Sequence, residues 1–238
     1  MRAMRFIEKH GSKTSFDKVI EDIIATKEEM PEFNKDLMVR FQSDFSESKQ
    51  AQKYIQGRGI SKISANHFGI GFDSKRQMVI TPMYDKDARL IGVIGRSIRE
   101  KRFQNSKDLP SRKTLFNIQN ARRAGSDTLV IVESNFDCIR AHQSGYPNTV
   151  ATLSGAFSEH HLTQVNRSFS RVIIAVDVDD AGEAFASRIA NKCTNAGIQA
   201  YRMQFSQAER LPHGAKDLSD CTDDEIAQAI RLADLYVN

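Results

Sequence analysis

Two rhythms of apolar and polar positions divide the chain. From Thr128 onward, short apolar runs alternate with amphipathic segments. TLVIVE, NTVATL, RVIIAVD and IQAYRMQ read as strands, and FDCIRAHQSG, SEHHLTQVNRSF, AGEAFASRIANKCTNAG and TDDEIAQAIRLADLYV read as helices. Gly145 and Gly197 stand where the first and third of these helices would stop. Buried runs such as LVIV and VIIAV, separated by helices, predict a parallel sheet covered by helices on both faces, an α/β fold.

Residues 51–125 follow a different pattern. AQKYIQGRGI predicts a short helix ending at Gly57 or Gly59, and SKISANHFGIGF a further helical turn with a glycine-marked entry to a strand. MVITPMYD and RLIGVIGRSI read as two strands joined by the polar turn DKDA, so a small α+β module with an antiparallel pair is expected. Earlier still, Phe6/Ile7, Phe16, Val19/Ile20 and Ile23/Ile24 recur at helical spacing, with Ser15 and Asp17 placed to start the second run. Lys27–Gln50 is charged and poorly periodic and reads in part as a linker. The expected organisation is a helical segment and linker over 1–50, a basic module over 51–125 and the α/β domain over 126–238.

At 238 residues and 40% hydrophobic content the chain can bury a substantial core. No stretch approaches the ~18 apolar residues of a membrane span, and MRAMRFIEKHGSK lacks the apolar stretch of a secretory signal. Cytoplasmic residence with no membrane partner is the expectation. Cys138, Cys193 and Cys221 are far apart and form no zinc-ligand spacing, so neither a disulfide framework nor zinc is expected. Cys138 reads as a small buried hydrophobe within a helix.

The net charge of +4 conceals an asymmetry. Residues 51–125 hold 16 Lys/Arg against 5 Asp/Glu, and residues 126–238 hold 9 against 15. A basic region beside an acidic one suits a protein that grips a polyanion with one part and binds metal ions with the other.

The acids are placed to do this. In an open parallel sheet, ligands sit at the carboxyl ends of strands. LVIV ends at Glu133, IIAV ends at Asp177, and Asp179 follows on the same side if the extended backbone continues. Asp137 lies four residues beyond Glu133, one helical turn on, and is expected to face the same crevice. Each acid alone could simply cap a helix N-terminus, but acids ending two separate buried strands favour a site. Converging carboxylates call for hard cations such as Mg2+ or Mn2+, one or two of which could orient an attacking oxygen on a phosphate.

These residues resemble a known family. VIVESNFD (130–137) is similar to the toprim motif in which a strand ends in glutamate and an aspartate follows four positions on. AVDVDDAG (175–182) is similar to the matching DxD motif, and GAKDLSD (214–220) to the Lys-Asp element of phage-type toprim primases. Ser134 stands where the pattern usually carries glycine, and a left-handed backbone there would suit serine less well. Upstream, AQKYIQGRGISKISANHFGIGF, MVITPMYDKDARLIGVIGRSI and FQNSKDLPSRKTLFNI resemble, in order, segments of the DnaG-type primase polymerase core. AMRFIEKHGSKTSFDKVIEDI resembles the helical tail after that family's zinc-binding domain. The zinc-binding and helicase-binding regions have no counterpart, as expected of a trimmed core or a compact phage or mobile-element primase.

The resemblance implies a DNA primase, joining ribonucleotides into an RNA primer on single-stranded DNA by metal-dependent nucleotidyl transfer. It implies metal ligation by Glu133, Asp177, Asp179 and Asp217, with Asp137 in the same catalytic group, and two or more Mg2+ or Mn2+ ions with no zinc. It implies template and ribonucleoside triphosphate contacts from Arg58, Arg96, Asn105, Lys113 and Lys216. A replicative helicase and a zinc-binding module acting in trans are the implied protein partners. Two other classes stay open: a toprim nuclease, for which His160-His161 is the candidate base though the pair reads better as part of a surface helix, and a non-catalytic replication accessory protein.

Overall fold

The computed structural model describes residues 30–153, 155–177, 179–203, 218 and 221–235. The helices expected before residue 30 lie outside these residues, as do Lys216 and Asp217. Helix α1 (Lys35–Glu47) begins at Asn34, whose side chain accepts from the Leu37 N–H at 3.1 Å. It occupies the stretch that reads as poorly periodic. Its buried face is only Met38, Phe41 and Phe45, a helical spacing diluted by the lysines, acids and serines between them. Ser48 and Ser61 cap the two helices that follow, α2 (Lys49–Gly57) and α3 (Lys62–His67).

The expected antiparallel pair forms the inner half of a four-stranded sheet. Strands β1 (Gly71–Asp73), β2 (Met78–Tyr84), β3 (Leu90–Ser97) and β4 (Phe103–Asn105) lie in that order, all antiparallel. The two outer strands are three residues each, too short to show a period of two in the sequence. Met38 and Phe41 of α1 join Met78, Ile80, Leu90 and Val93 in one apolar cluster, so this helix packs against the sheet rather than serving as a linker.

After α4 (Ile118–Arg123), the alternating region builds a second sheet of order β6-β5-β7-β8-β9. Strands β5 (Thr128–Val132), β6 (Thr149–Ala151), β7 (Arg171–Ile174) and β8 (Gln199–Arg202) are parallel. Helices α5 (Asn135–Gln143), α6 (Glu159–Asn166), α7 (Asp180–Asn195) and α8 (Asp223–Arg231) complete the α/β pattern. Leu129, Ile131, Val172, Ile174, Phe185 and Ile189 form the centre of its core, each almost wholly buried. The last helix is shorter than its pattern suggests. It starts at a Thr222/Glu225 capping box and stops at Arg231, after which β9 (Asp234–Leu235) pairs antiparallel with β8. That pairing satisfies backbone groups that the outer edge of β8 would otherwise leave open.

Direct contacts join the segments around the two sheets. Asn135, at the start of α5, donates to the Thr81 hydroxyl of β2 at 2.9 Å. The Phe68 and Phe116 rings stack with centroids 6.1 Å apart. Among the described residues, no helix is long and apolar enough to cross a membrane.

Candidate active site

A cavity of about 940 Å³ lies where the carboxyl ends of β5 and β7 face β3 and β4. Its acidic side is formed by Glu133, Asp137 and Asp177, and its basic side by Arg58 and Arg96, with Asn105, Tyr54 and Phe103 beside them. Five of the sequence-derived candidates thus sit on one cavity with Asp177: Glu133, Asp137, Arg58, Arg96 and Asn105.

The acids are fixed by backbone. Glu133 follows directly on β5, and one of its carboxylate oxygens, Oε1, accepts from the Asp177 N–H at 3.2 Å. Burial, reinforced by the negative charge of Asp179, raises the Glu133 carboxyl above its ordinary range, opposed by the Asp177 N–H and Arg202. Ser134 has φ −109°, an extended backbone that serine adopts freely, so the left-handed conformation feared from the missing glycine does not occur. Instead Ser134 caps α5. Its hydroxyl accepts from the Asp137 N–H at 3.2 Å and donates to Asp137 Oδ2 at 2.6 Å, which sets the direction of that carboxylate.

Asp177 and Asp179 divide their roles. Asp177 lines the cavity, whereas Asp179 is exposed and caps α7, accepting from the Gly182 N–H at 2.6 Å. The start of α7 lies so close to the strand end that a Cβ on Gly182 would come within 2.1 Å of the Asp177 carbonyl oxygen. The end of β7 and the segment leading to Asp177 are held by the buried Arg202, whose Nη1 donates to the carbonyls of Ile174 at 3.1 Å and Val176 at 3.2 Å. Among the described residues no three His, Cys, Asp or Glu side chains cluster tightly enough to hold a metal ion by themselves.

The basic side is fixed by side chains. The Arg96 guanidinium lies 4.1 Å from the centroid of Phe103, and its Nε donates to the Tyr54 hydroxyl at 3.2 Å. Arg58 lies over the ring of the same tyrosine, 5.6 Å from its centroid. Phe103 is 53% exposed, an unusual state for a large apolar ring and one suited to stacking with a flat partner. Sequence reasoning passed over Tyr54, Phe103 and Arg140, all on this cavity. Tyr54 precedes Arg58 by one helical turn, and Arg140 follows Asp137 by three residues, so helical spacing carried a signal for both.

Two expectations change. Lys113 does not line the cavity. It lies in a turn where its N–H donates to the Pro110 carbonyl at 2.9 Å and its carbonyl accepts from Gln164 at 2.9 Å. The His160-His161 pair is not a uniform surface feature, since His160 is exposed but His161 is wholly buried. Its Nδ1 accepts from the Ser158 N–H at 3.3 Å, which leaves Nε2 to donate to the Ser111 carbonyl at 2.8 Å. Burial holds its pKa down at about 4, and it lies away from the acids, so it offers no general base to them.

Residues 127–204 match the Toprim domain family. The described residues share the fold of solved DnaG primase catalytic cores, one of which covers 84% of this chain, and part of the chain is similar in sequence to bacterial DNA primases. It is 27% identical over 190 residues to a DNA primase of Clostridium acetobutylicum, an alignment covering 62% of this chain and 32% of the relative. It superposes on the zinc-binding and RNA polymerase domains of the Aquifex aeolicus primase with a TM-score of 0.70 at 20% identity, covering 97% of this chain and 66% of that one. A DnaG primase catalytic domain bound to single-stranded DNA gives the same TM-score of 0.70 at 19% identity, covering 84% and 77%. The chain thus spans about a third of the length of the curated primase it matches.

Proposed function

We propose that this chain is the polymerase core of a DNA primase, a nucleotidyltransferase that makes short RNA primers on single-stranded DNA. The observation that carries this reading is the single cavity on which strand-end carboxylates face arginines braced on aromatic rings. The relatives' names and the single-stranded DNA in one structural neighbour support the choice of substrate.

The donors are hard carboxylate oxygens, whose chemistry suits a divalent cation completed by further oxygen ligands such as phosphate. Glu133 is half-buried, near Asp177 and Asp179, and a bound cation would favour the ionised form that burial disfavours. Glu133, Asp177 and Asp179, with Asp217 outside the described residues, are the residues we assign to Mg2+ or Mn2+. Such ions, when bound, supply charge neutralisation at the triphosphate and its pyrophosphate leaving group.

The chain's own residues do the rest. Arg58 and Arg96 hold phosphates, Asn105 offers a polar contact at the cavity edge, and Phe103 gives a face for a base to stack on. Binding there brings the primer 3′-hydroxyl in line with the α-phosphate. The hydroxyl gives up its proton to water, an O3′–P bond forms, the bond from the α-phosphorus to the α,β-bridging oxygen breaks, and pyrophosphate leaves. Lys216 is kept as a phosphate contact, and Lys113, outside the cavity lining, as a template or nucleotide contact beside it. The template grip belongs to the antiparallel module and the metal chemistry to the Toprim domain. A replicative helicase and a zinc-binding module acting in trans complete the proposed partners.

The test is a priming assay on defined single-stranded templates with ribonucleoside triphosphates and Mg2+ or Mn2+. Short RNA products dependent on template and metal are expected. Fragments of template released without nucleotide consumption would replace this reading with the nuclease. Calorimetry that found no divalent-cation binding would replace it with the accessory protein.

A further inference from the structure

Arg140 lies one turn beyond Asp137 on α5, is 4% exposed, and lines the same cavity. A buried guanidinium is costly unless its donors are bonded, so what it bonds to indicates why it is there. Nη1 donates to the carbonyl of Arg58 at 3.4 Å, and Nη2 to the carbonyl of Cys221 at 2.6 Å and to Asp223 Oδ1 at 3.2 Å. Nε is buried with no hydrogen-bond partner.

Three residues on, Gln143 continues the contact. Its Nε2 donates to the Gly59 carbonyl at 3.0 Å and to Asp223 Oδ2 at 2.7 Å, and its Oε1 accepts from the Ser61 N–H at 2.8 Å. Two side chains of α5 therefore grip the backbone of residues 58–61, and Asp223 at the start of α8 holds both side chains. The turn is shaped to receive the guanidinium. Gly59 has φ +72°, and a Cβ there would lie 2.0 Å from Arg140 Nη1.

We propose that Arg140 is a positioning residue, which fixes Arg58 at the carboxylate cavity by holding the Arg58 carbonyl and the Gly59 turn on the helix that carries Asp137. The inference rests on the reading of Arg58 as a phosphate contact. One rigid helix then sets the distance between an acid of the site and a cation of the site. Both Nη groups are bonded to carbonyls of the protein, and Nη2 also to Asp223, which suits Arg140 to the role of a strut.

The test measures binding of a labelled single-stranded oligodeoxynucleotide to the full chain over a range of salt, for Arg58→Ala, Arg140→Gln and the double variant. Arg140→Gln is expected to weaken binding about fivefold to tenfold, as contacting residues coupled through one network do. It should lower the slope of log affinity against log salt by about one, the same as Arg58→Ala. The double variant should then bind no worse than Arg58→Ala alone. Gly59→Ala keeps the arginine and displaces its guanidinium, so it should reproduce Arg140→Gln, and it carries the test if Arg140→Gln fails to fold.

Losses that multiply in the double variant, with the slope falling by about two, would make Arg140 a direct DNA contact and overturn the inference. Binding unchanged in folded Arg140→Gln or Gly59→Ala would also overturn it. If Arg58→Ala itself binds normally, the assignment of Arg58 falls first, and this inference falls with it.

Discussion

The two sheets carry opposite charges of the proposed site and fix them by different means. In the parallel sheet the carboxylates are placed by main chain: Glu133 and Asp177 follow strand ends, Ser134 caps the helix that orients Asp137, and Asp179 is itself a cap. In the antiparallel module the guanidinium groups lie against rings, Arg96 of β3 against Phe103 and bonded to the Tyr54 hydroxyl, and Arg58, just after α2, over Tyr54. Backbone placement is rigid and local in sequence. Ring placement joins residues 42 positions apart and tolerates small movements of the partner it holds. The contrast fits a division of labour in which the acids define the reacting geometry and the arginines hold a polymer that must advance.

That contrast can be broken first at its strongest point. Asp177→Ala with Asp179→Ala should abolish primer synthesis by at least about a hundredfold, because charge stabilisation at the phosphates would be lost. Oligodeoxynucleotide binding should stay within about twofold, since the cations that grip the backbone are untouched. Normal synthesis by this double variant, measured as RNA product per template, would remove the acids from the site.

The second prediction concerns the joint between the halves. His161 anchors the turn at Ser111 that leads from the antiparallel sheet into the Toprim region, and it does so as a neutral ring with a pKa of about 4 against 6.5 when unfolded. The folded state binds fewer protons than the unfolded one between those values. The stability it contributes is therefore complete above pH 6.5 and is lost as pH falls from 6.5 to about 4, amounting to about 3 kcal/mol. His161→Gln should flatten that acid limb in thermal melts followed by circular dichroism. An unaltered pH dependence would show that acid lability arises elsewhere.

How much of this could be read from the sequence follows the same division. LVIV and VIIAV are fully formed signals because both faces of a parallel strand are buried, so Glu133 and Asp177 stood out at their ends. The helix over residues 35–47 did not stand out, because its buried face is three residues among charged neighbours. Strands of three residues, such as the one carrying Phe103 and Asn105, show no period at all. Arg58 and Arg96 were found by resemblance, but Tyr54 and Phe103, which hold them, become visible only when distant segments pack. The burial of His161 has no sequence signal, because a histidine in a polar helix looks solvated until the Ser111 carbonyl that it bonds is packed against it.

The third prediction separates charge from ring contact on the basic side. Arg96→Ala should weaken oligodeoxynucleotide binding about tenfold and lower the salt slope by about one. Arg96→Lys keeps the charge and hence the slope, but loses the planar contact with Phe103 and the bond to Tyr54, so a smaller loss of about threefold is expected. Equal losses for the two variants, with equal slopes, would mean that the rings rather than the charge set the affinity.

The smallest expected effect is at Ser134, where main-chain placement of an acid depends on one hydroxyl. Ser134→Ala removes both the cap to the Asp137 N–H and the bond to Asp137 Oδ2, and should cost about 1 kcal/mol of stability in denaturant unfolding. Ser134→Gly keeps a small residue at the N-cap and should cost only a few tenths of a kcal/mol. Both variants free the Asp137 carboxylate from the hydroxyl, so they should share any change in the rate of primer synthesis while differing in stability. A rate loss confined to the alanine variant would instead trace the effect to helix fraying, and the orientation of Asp137 would then owe nothing to serine.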